Sequence, residues 1–516
     1  MSLIAVLAVF FGACSGSESD GAAGGPAGGT VRMAAGEDPW PAEGSGPRST
    51  TFLYPLNMGV YEPLIHLGSD YSLKPGLAER WELVDGEKTW RFHLRHGVKF
   101  HDGRPFTADD VLWTWTRQEE ARKLTTVLET LGDGSIRKID DFTVDFTPKA
   151  PNLRLPEQML HPQGAILPQG NNFDSTPPVG TGPYKVAEYR QGESATFERF
   201  DGYWGTKAKV GRLEVKFMAD PRSRVKTLQS GETDFVFDVP AADIAALGRD
   251  RRFRLVRSQP GRTHVIYVNK TGVAPYDLGA DPSVRRAVSL AIDRKAYVDR
   301  VFAGNAEPGR WMAPRAVLGA SADLVAPVGG DPAAARQELD GAGWVPGPDG
   351  VRAKGDRRLA LTIVGWAEVP TAAYDLIKEQ LAQVGIALTV NAAPDQATFR
   401  GFYRDTEFDL DLEVPSQNDA NPAFLPVLRM YSRSDGANRF APGGDFDVKA
   451  QSAAGAKTRE EVQRTAAEMM RILVDDQHIV VPLAGVPRIY AMTNDVNLAN
   501  PHPSQASQSW SGLSKS

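Results

Sequence analysis

Residues Leu73 to Trp115 read LKPGLAERWELVDGEKTWRFHLRHGVKFHDGRPFTADDVLWTW, and this stretch decides the fold. Every second residue from Trp90 to Leu94 is apolar, which is typical of a strand with one buried and one solvated face. Asp102-Gly103 then predicts a turn. Thr107, with Asp110 three positions later, resembles a helix N-cap followed by an acidic residue. The pattern therefore predicts a strand, a turn and a helix in succession.

A second informative stretch, Pro178 to Tyr184, reads PVGTGPY. Its glycines allow backbone angles that are closed to other residues, while its prolines fix φ, so the segment is a stiff and shaped turn. We interpret it as the point where the chain leaves an inserted domain and re-enters the lobe that carries that domain. The simpler alternative is a tight loop between two strands.

Length and composition restrict the possible classes of protein. A chain of 516 residues predicts two or three domains, because a single domain commonly holds roughly 100 to 200 residues. Charged residues make up 24% of the chain and the formal net charge is -6, so the chain has no basic field to hold a phosphate backbone and nucleic acid is not an expected partner. Cys14 is the only cysteine, which excludes an intrachain disulfide and a cysteine-based metal cluster.

The segment around Cys14 predicts export. Leu3 to Ala13 is an uncharged apolar run of signal-sequence length that is too short to span a bilayer. It is similar to a bacterial lipoprotein signal, in which the cysteine becomes the lipidated N-terminus, although no Lys or Arg precedes it and Phe11 replaces the usual Leu. We expect residues 1–14 to be this signal; an ordinary cleaved secretion signal is the alternative. Residues 15–29 are rich in Ser, Gly, Ala and Asp, which predicts a flexible tether.

The chemistry-bearing residues do not form a recognisable catalytic motif. The sequence has no Gly-x-Ser-x-Gly elbow, no His-Glu-x-x-His helix and no phosphate-binding glycine loop ending in Lys-Ser or Lys-Thr. His93, His96 and His101 are close together in sequence, but no carboxylate repeats at ligand spacing, so we expect no metal there. We therefore expect neither an enzyme nor a bound cofactor.

The stretch from Leu73 to Trp115 resembles the family 5 extracellular solute-binding proteins of ABC importers, whose members bind oligopeptides, dipeptides or nickel. Further blocks of the chain resemble the same family in the same order and extend the likeness over nearly all of the chain after the tether. These blocks are Val179 to Trp204, Leu228 to Asp234, Val284 to Val298, Asp331 to Trp344 and Ile377 to Ile386.

The resemblance implies an α/β, periplasmic-binding-protein-like fold, in which a hinge joins two α/β lobes and an extra domain is inserted in the first. The alternation of predicted strands and helices in both halves agrees with this. The implied hinge lies on crossing strands near Tyr267 and near Val480 to Leu483. The expected domains are residues 30–56, 177–262 and 480–516 for the first lobe, 57–176 for the extra domain and 263–479 for the second lobe.

The resemblance also implies a function. The chain would be the extracytoplasmic solute-binding component of an ABC importer, a monomer that captures a peptide or related small polar solute between two closing lobes and delivers it to a membrane permease. It would be periplasmic, or lipid-anchored to the outer face of the cell membrane. The alternatives are a ligand-sensing or chaperone-like binding protein on the same fold, a binder of a sugar-like solute or metal chelate, and a secreted hydrolase.

Candidate ligand-binding residues follow from the resemblance and from clusters of polar and aromatic side chains. For each aromatic residue the alternative is core packing. The loop at residues 415–422 is the densest set of donors and acceptors. The candidates are Asp38, Trp40, Tyr184, Tyr267, Asn269, Trp366, Gln417, Asn418, Asp419, Asn421 and Arg439.

The loop at residues 415–422 also departs from the family pattern. Peptide binders of the family carry a Trp and then an Asp here, and that carboxylate pairs with the α-amino group of the peptide. In this chain Pro415 falls near the Trp position and Asn418 at the Asp position, with Asp419 one place later. If Asn418 faces the cleft, a neutral ligand is favoured, because a buried ammonium without a counter-charge is costly; if Asp419 does, peptides remain possible. Arg439 is a candidate partner for an acidic group of the ligand, or else forms a surface ion pair.

Overall fold

The computed structural model describes most of the chain after residue 27. The described ranges are 28–36, 59–86, 88–117, 131–150, 152, 155–160, 164–171, 177–312, 321, 329–366, 369–394, 398–399, 401–402, 407–413, 443–452, 456, 458–503 and 508–516. All structural statements below concern these residues.

The first strand belongs to a large sheet, and the chain then builds a separate small domain before it returns to that sheet. The first strand is β1 (Thr30–Ala35). The elements of the small domain are β2 (Ile65–Leu67), β3 (Leu73–Pro75), β4 (Ala78–Val84), β5 (Thr89–Leu94), α1 (Ala108–Arg117), β6 (Leu131–Asp140), β7 (Thr143–Pro148) and α2 (Leu155–Gln158). Strands β2 and β3 form a hairpin, and the four-stranded sheet has the order β4-β5-β7-β6.

The small domain has its own core because its strands and helix bury aromatic rings against one another. Phe92 of β5 and Trp115 of α1 both meet the ring of Phe146 edge to face, with centroids 5.3 and 5.7 Å apart. All three side chains are buried. The predicted strand around Phe92 and the helix that follows Thr107 are both present, and the Asp110 carboxylate accepts the Thr107 N–H at 2.8 Å.

A buried carboxylate joins the small domain to the returning chain. Glu62 is 3% exposed and accepts three hydrogen bonds, each of 2.8 Å. The donors are the Thr181 hydroxyl, the Tyr203 hydroxyl and the indole N–H of Trp204. Burial of a carboxylate is costly unless hydrogen-bond donors such as these replace the water that it loses.

The stretch Pro178 to Tyr184 packs directly against the chain that enters the small domain. A Cβ on Gly180 would lie 1.9 Å from the carbonyl oxygen of Val60, and the same atom on Gly182 would lie 1.8 Å from that of Gly59. Glycine is therefore required at both positions by the close approach of two backbones. His101 bridges the turn: its Nδ1 lies 3.3 Å from the N–H of Gly180 and its Nε2 lies 3.0 Å from the carbonyl oxygen of Gly182.

The rest of the chain forms one large sheet with helices and small hairpins around it. The helices are α3 (Pro221–Ser230), α4 (Ala241–Arg249), α5 (Pro282–Ala291), α6 (Arg294–Phe302), α7 (Pro332–Gly341), α8 (Thr371–Ala382), α9 (Asp445–Ser452) and α10 (Arg459–Arg471), which runs on into a π-helical turn at Ile472–Asp476; 3-10 turns occur at Leu278–Ala280 and Trp510–Gly512. The strands are β8 (Tyr184–Arg190), β9 (Ser194–Arg199), β10 (Arg212–Phe217), β11 (Phe235–Val236), β12 (Phe253–Val268), β13 (Glu307–Pro308), β14 (Val345–Pro346), β15 (Arg352–Lys354), β16 (Arg357–Arg358), β17 (Ala360–Trp366), β18 (Ala387–Ala393), β19 (Leu410–Glu413), β20 (Val480–Thr493), β21 (Val496–Leu498) and β22 (Leu513–Lys515).

Several helices begin and end at sequence signals that can be identified residue by residue. The Asp220 side chain caps α3 by accepting the N–H groups of Arg222 and Ser223, and Gly231 ends that helix in the left-handed region at φ 79°. Helix α10 opens with a capping box between Thr458 and Glu461. These caps explain why the helices start and stop where the sequence changes.

The large sheet runs through two lobes in the order β18-β17-β19-β12-β20-β11-β1-β10-β9-β8, with β13 paired to β20. Lobe I holds β1 and β8 to β11, and lobe II holds β17 to β19. The long strands β12 and β20 pair with one another and pass from one lobe to the other. The apolar residues at one end of each long strand pack in the lobe I core, and those at the other end pack in the lobe II core.

The two long strands cross between the lobes at an irregular stretch. Their register shifts between Arg257 and Pro260 and again between Pro260 and Arg262. Pro260 lies opposite Pro487, so neither strand has a backbone N–H to donate at that position. We call Pro260–Thr263 and Gly485–Arg488 the crossing segments.

The crossing segments differ from the predicted hinge positions. Tyr267 lies opposite Val480, and both side chains are buried in one apolar cluster, most of whose residues belong to lobe II. Leu483 also packs in a lobe II core. The expected positions therefore lie inside lobe II, because the apolar pattern of a long strand does not reveal which of its residues pair within a lobe.

The last strands of the chain close lobe I beside the first strand. The buried carboxylate of Asp234 accepts from the Arg32 guanidinium at 2.6 Å and from the Lys515 ammonium at 3.0 Å. Lys515 also donates to the carbonyl oxygen of Thr30. Within the described residues, no helix combines the length and apolar character that crossing a membrane requires.

Candidate ligand-binding site

The carboxyl ends of the lobe I strands point towards the crossing segments. Val236, the last residue of β11, lies opposite Ala491 of β20, and Ala491 lies opposite Leu255 of β12. Because β11 and β20 are antiparallel, the chain beyond Val236 continues towards the crossing segments. Strand β1 is parallel to β11, so the loop that follows Ala35 starts at the same edge.

The carboxyl ends of the lobe II strands point towards the crossing segments from the other side. Strands β17 and β19 are parallel, with Gly365 opposite Leu412. Glu413 ends β19 opposite Val265 of β12, and the antiparallel pairing leads on from Val265 to Thr263. Ligands of α/β sheets bind at such carboxyl edges, so the space above the crossing segments is the candidate site.

Most of the predicted site residues lie outside the described residues. This holds for Asp38, Trp40, Gln417, Asn418, Asp419, Asn421 and Arg439, and also for the predicted lipidation residue Cys14. Asp38 and Trp40 follow β1, and the loop at residues 415–422 follows β19. Trp366 is the last residue of β17, next to the point where β19 ends, so its backbone lies at the lobe II edge.

Tyr184 does not lie at the candidate site, where the sequence analysis expected it. It opens β8, on the far side of lobe I, and its side chain is 0% exposed. Its hydroxyl donates to the carbonyl oxygen of Val210 at 3.0 Å. The ring therefore packs in the lobe I core and has no surface for a ligand, which is the alternative that applies to any aromatic residue in a strand.

Tyr267 and Asn269 also differ from the expectation. Tyr267 lies opposite Asp411, two residues before the end of β19, and is buried in lobe II. Asn269 is 0% exposed; its amide donates to the carbonyl oxygen of Phe408 at 2.8 Å, and its side-chain oxygen accepts the N–H of Thr271. The register places Asn269 at the amino end of β19, the edge opposite to Trp366.

The three neighbouring histidines each have a structural partner. His93 contacts Glu82 at 2.8 Å, the ring of His96 lies on Phe142 with centroids 3.9 Å apart, and His101 bridges the glycine turn. Burial lowers the pKa of His101 to about 4, so the ring is neutral. A neutral ring with its proton on Nε2 satisfies both bonds to the turn.

The crossing segments carry an ionic cluster that the sequence interpretation did not identify. Arg488 is 3% exposed, and its Nη1 lies 2.9 and 3.1 Å from the two carboxylate oxygens of Asp238. Nη2 of Arg262 lies 4.0 Å from the same carboxylate. Arg224 is buried beneath them and donates to the carbonyl oxygen of Phe237. We call Asp238, Arg224, Arg262 and Arg488 the Asp238 cluster.

The Asp238 cluster combines backbone strain with a strong local field. Asp238 follows β11 at the lobe I edge with φ 49°, a left-handed conformation that non-glycine residues seldom adopt and that is found at functional sites. Burial raises the pKa of this carboxyl, but the guanidinium groups of Arg488, Arg262 and Arg224 outweigh burial and hold its pKa below the usual range. Asp238 is therefore ionised.

A signal for this cluster existed in the sequence. Arg488 interrupts the otherwise apolar run from Val480 to Met492, and a charged residue inside a buried strand needs a partner. The sequence alone did not predict the pairing of β12 with β20, which brings Arg262 and Arg488 together.

Two cavities open on lobe II outside the crossing segments. One, of ≈ 340 Å³, is lined by Asp277, Leu278, Ala280, Asp281, Trp344, Lys354 and Arg357. The other, of ≈ 450 Å³, is lined by Pro282, Arg285, Arg286, Leu290, Glu338, Asp475, Asp476, Gln477 and His478. In the described part of the chain, neither cavity is lined by a residue of the crossing segments, so neither belongs to the candidate site.

Comparison with known proteins identifies the family of this chain. Residues 72–438 match the family model described as bacterial extracellular solute-binding proteins, family 5. The chain belongs to this family. The resemblance predicted from the ordered sequence blocks is thereby confirmed. Homologues in family 5 are solute-binding components of transport systems rather than enzymes, and they are periplasmic or extracellular.

Individual family 5 proteins show how far the likeness extends. The peptide transport periplasmic protein SapA of Salmonella typhimurium is 26% identical over 469 residues, which cover 83% of this chain and 81% of that protein. The glutathione-binding protein GsiB of Salmonella paratyphi A is 31% identical over 344 residues, covering 64% of this chain and 63% of that protein.

A solved family 5 structure confirms the fold class. The crystal structure of NikA from Brucella suis in complex with Fe(III)-EDTA superposes with a TM-score of 0.81 at 22% identity, covering 94% of this chain and 100% of that chain. The predicted α/β, periplasmic-binding-protein-like architecture is therefore confirmed.

Proposed function

We propose that this family 5 protein captures a peptide or a related small polar solute above the crossing segments and delivers it to a membrane permease. The observation that carries the proposal is the register of the large sheet. It brings the carboxyl edges of both lobes to the same crossing segments, so one ligand above these segments would be within reach of both lobes.

The relatives support a polar ligand. By name, SapA is a peptide transport protein and GsiB binds glutathione, while the NikA structure holds Fe(III)-EDTA. These ligands differ in shape, but all are small and rich in polar groups. A site that accepts such ligands needs a few well-placed polar side chains in an otherwise closed cleft.

The residues that we propose for ligand contact are at the end of strands that reach the two carboxyl edges, or come after such strands in the chain. From lobe I these are Asp38 and Trp40, in the loop that follows β1. From lobe II they are Trp366 and Arg439 together with the polar loop residues Gln417, Asn418, Asp419 and Asn421. Their strands end beside the crossing segments.

The crossing segments support a closing motion of the lobes. Register shifts and the facing prolines Pro260 and Pro487 leave few backbone hydrogen bonds to resist bending there. Closure of the lobes would remove water from the ligand and strengthen its polar contacts.

We further propose that the exported chain works as a monomer at the outer face of the cell membrane. Lipidation of Cys14 and the tether at residues 15–29 would hold it near its permease. A globomycin-sensitive shift in the mass of the mature protein, together with loss of membrane association in Cys14→Ser, would be the expected result. Release of an unmodified protein with a different N-terminus would contradict the lipid anchor.

The ligand class can be tested by native mass spectrometry of the purified protein. Retained peptides are the expected result. A retained sugar or metal chelate would contradict the peptide proposal, and a hydrolysed product that accumulates with time would indicate an enzyme. Loss of solute uptake on deletion of a neighbouring permease gene would separate transport from sensing.

The role of the polar loop can be tested in the same preparation. Asp419→Ala should weaken binding of a free-amine peptide by about tenfold or more, which corresponds to about 1.4 kcal/mol. Asp201→Ala is the matched control, because the Asp201 side chain is 74% exposed and pairs with Arg199 on the surface of lobe I. Equal calorimetric affinities for both variants and the unchanged protein would remove Asp419 from the site.

A further inference from the structure

We propose that the larger of the two cavities on lobe II is a second ligand site, and that it binds a small zwitterion such as a free α-amino acid. We call this cavity, of ≈ 450 Å³, the Arg285 cavity. The inference goes beyond the proposed function, because the cavity lies apart from the crossing segments. A ligand bound there would leave the cleft free for its own solute.

Three elements of lobe II form the walls of the Arg285 cavity. Helix α5 lines one side with residues at helical spacing, α7 lines a second side with Glu338, and residues 475–478, at and after the π-helical turn, line the third. The α5 residues are Pro282, Arg285, Arg286 and Leu290. His478 has φ 50°, a left-handed conformation, and π-helical turns are frequent at functional sites.

The Arg285 cavity lies at the amino edge of lobe II, opposite to the candidate ligand-binding site. Ile479 directly precedes β20, and its carbonyl oxygen accepts the N–H of Val268, the last residue of β12. Val268 lies opposite Leu410, the first residue of β19. The turn at residues 475–478 is therefore beside the amino end of β19, while the candidate site is at its carboxyl end.

Arg285 is a buried charge in the wall of this cavity. It is 5% exposed; its Nε donates to the carbonyl oxygen of Gln477 at 2.7 Å, and its Nη1 donates to those of Gly279 and Ala280, each at 2.9 Å. Within the described part of the chain, no carboxylate lies within ion-pair distance of Arg285, and its Nη2 has no hydrogen-bond partner. A buried charge is costly unless it is paired, so Nη2 is the donor that a ligand carboxylate would complete.

The electrostatic field around Arg285 is positive. Burial and the charge of Arg285 lower the pKa of Lys270. Burial, together with the charges of Arg286 and Arg285, lowers the pKa of His478 to about 4, so this ring is neutral; Asp476 acts in the opposite direction but does not outweigh them. A carboxylate that approaches Nη2 is therefore attracted.

Two carboxylates in the walls of the cavity supply the opposite charge. The side chain of Glu338 is 26% exposed and lies 3.4 Å from Arg286, and that of Asp476 is 43% exposed and lies 3.1 Å from Arg471. A carboxylate has about four acceptor sites, so each can also accept from an ammonium group. A purely anionic ligand would meet these carboxylates and a purely cationic one would meet Arg285, whereas a zwitterion satisfies both.

L-alanine is the probe, because it carries both charges and few other groups. Isothermal titration calorimetry of the full mature protein should show binding that is weaker by about tenfold or more for L-alaninamide, which lacks the carboxylate, and for N-acetyl-L-alanine, which lacks the ammonium. Leu290→Trp, which places an indole in the cavity, should weaken L-alanine binding by about tenfold or more. The affinity of this variant for trialanine, the probe for the cleft, should be unchanged.

Two further variants test the charge and the location. Arg285→Lys keeps the charge but loses the fork of N–H groups, so it should weaken L-alanine binding by about fivefold or more. Arg357→Gln is the matched control, because the Arg357 side chain is 56% exposed and lines the other cavity of lobe II, so its loss should leave L-alanine binding unchanged. If Arg285→Lys does not fold, Leu290→Trp and the three probes still decide the matter.

The outcomes for the two sites are distinguishable. Absence of L-alanine binding, equal affinities for the three alanine probes, or L-alanine binding that Leu290→Trp leaves undiminished would overturn the zwitterion site while the proposed function stands. Failure of trialanine to bind, together with L-alanine binding that Leu290→Trp removes, would overturn the peptide proposal while this inference stands.

Discussion

Replacement of Glu62 should destabilise the junction between the small domain and lobe I more than replacement of any exposed carboxylate nearby. The Glu62 carboxylate is buried and accepts from Thr181, Tyr203 and Trp204. A hydrogen bond to a charged group contributes roughly 1.5 to 3 kcal/mol. Three such bonds, taken at the lower end because they share one acceptor group, predict that Glu62→Ala lowers the free energy of unfolding by about 4 kcal/mol.

The glutamine variant separates the charge of Glu62 from its hydrogen bonds. A carboxamide can keep the bonds from Thr181 and Trp204 at its oxygen, and its NH₂ group can donate to the Tyr203 hydroxyl, which then accepts. Only the charge is lost, so Glu62→Gln should cost roughly 1 to 2 kcal/mol. An intermediate stability for this variant is the expected signature of a buried carboxylate bound by neutral donors.

Urea unfolding followed by tryptophan fluorescence provides the assay, because Trp204, one of the ten tryptophans of the chain, bonds directly to Glu62. Glu82→Ala is the control: Glu82 is 50% exposed and contacts Arg80 and His93 on the surface of the same domain, so its loss should change the stability far less than the loss of Glu62. The first unfolding transition is compared, since a multidomain chain need not unfold in one step. A Glu62→Ala protein as stable as Glu82→Ala would refute the reasoning.

Two further predictions concern the glycine turn and the response to acid. Gly180→Ala should lower the free energy of unfolding by roughly 3 kcal/mol or more, because the added Cβ would overlap the backbone of Val60. The control is Gly341→Ala at the end of α7, where an added Cβ meets no atom within 4 Å, so this variant should be neutral or slightly stabilising. Equal melting temperatures of the two variants would contradict the close approach. Burial lowers the pKa of His101 to about 4 and that of His264 to about 3, so these residues favour folding above their unfolded pKa of about 6.5 and this stability is lost as the pH falls towards 4. Burial also lowers the pKa of His478 to about 4. It raises the pKa of Asp409 to about 6 and also raises that of Asp110, which acts in the opposite direction, but three histidines outweigh two carboxyls. Unfolding measured from pH 7 to pH 4 should therefore show a loss of several kcal/mol, with a smaller slope in His101→Gln, and a stability that rises on acidification would contradict this assignment.

Local elements of the fold could be predicted from the sequence because their causes are local. The alternation around Phe92, the acidic cap near Thr107 and the glycine stop at Gly231 depend on residues a few positions apart, and the structure has each of them. The order of the family blocks then supplied the arrangement of lobes that no short-range pattern contains.

Placement of individual side chains could not be predicted in the same way. Tyr184 and Asn269 are chemically suited to bind a ligand. The structure instead buries Tyr184 in the lobe I core, and the strand register places Asn269 at the amino end of β19, away from the candidate site. Arg262 and Arg488 are far apart in sequence and meet only because β12 pairs with β20. Register is a long-range property, and it decides which residues share an edge.

The facing prolines Pro260 and Pro487 have a mechanical consequence. Longer segments in which β12 and β20 pair with one another lie on both sides of them, so the connection between the lobes behaves as two arms joined by a compliant joint. A joint with few backbone hydrogen bonds to break stores little elastic energy when it bends. The energetic difference between an open and a closed molecule is then set almost entirely by what occupies the space between the arms, so the solute itself determines how long the molecule stays shut.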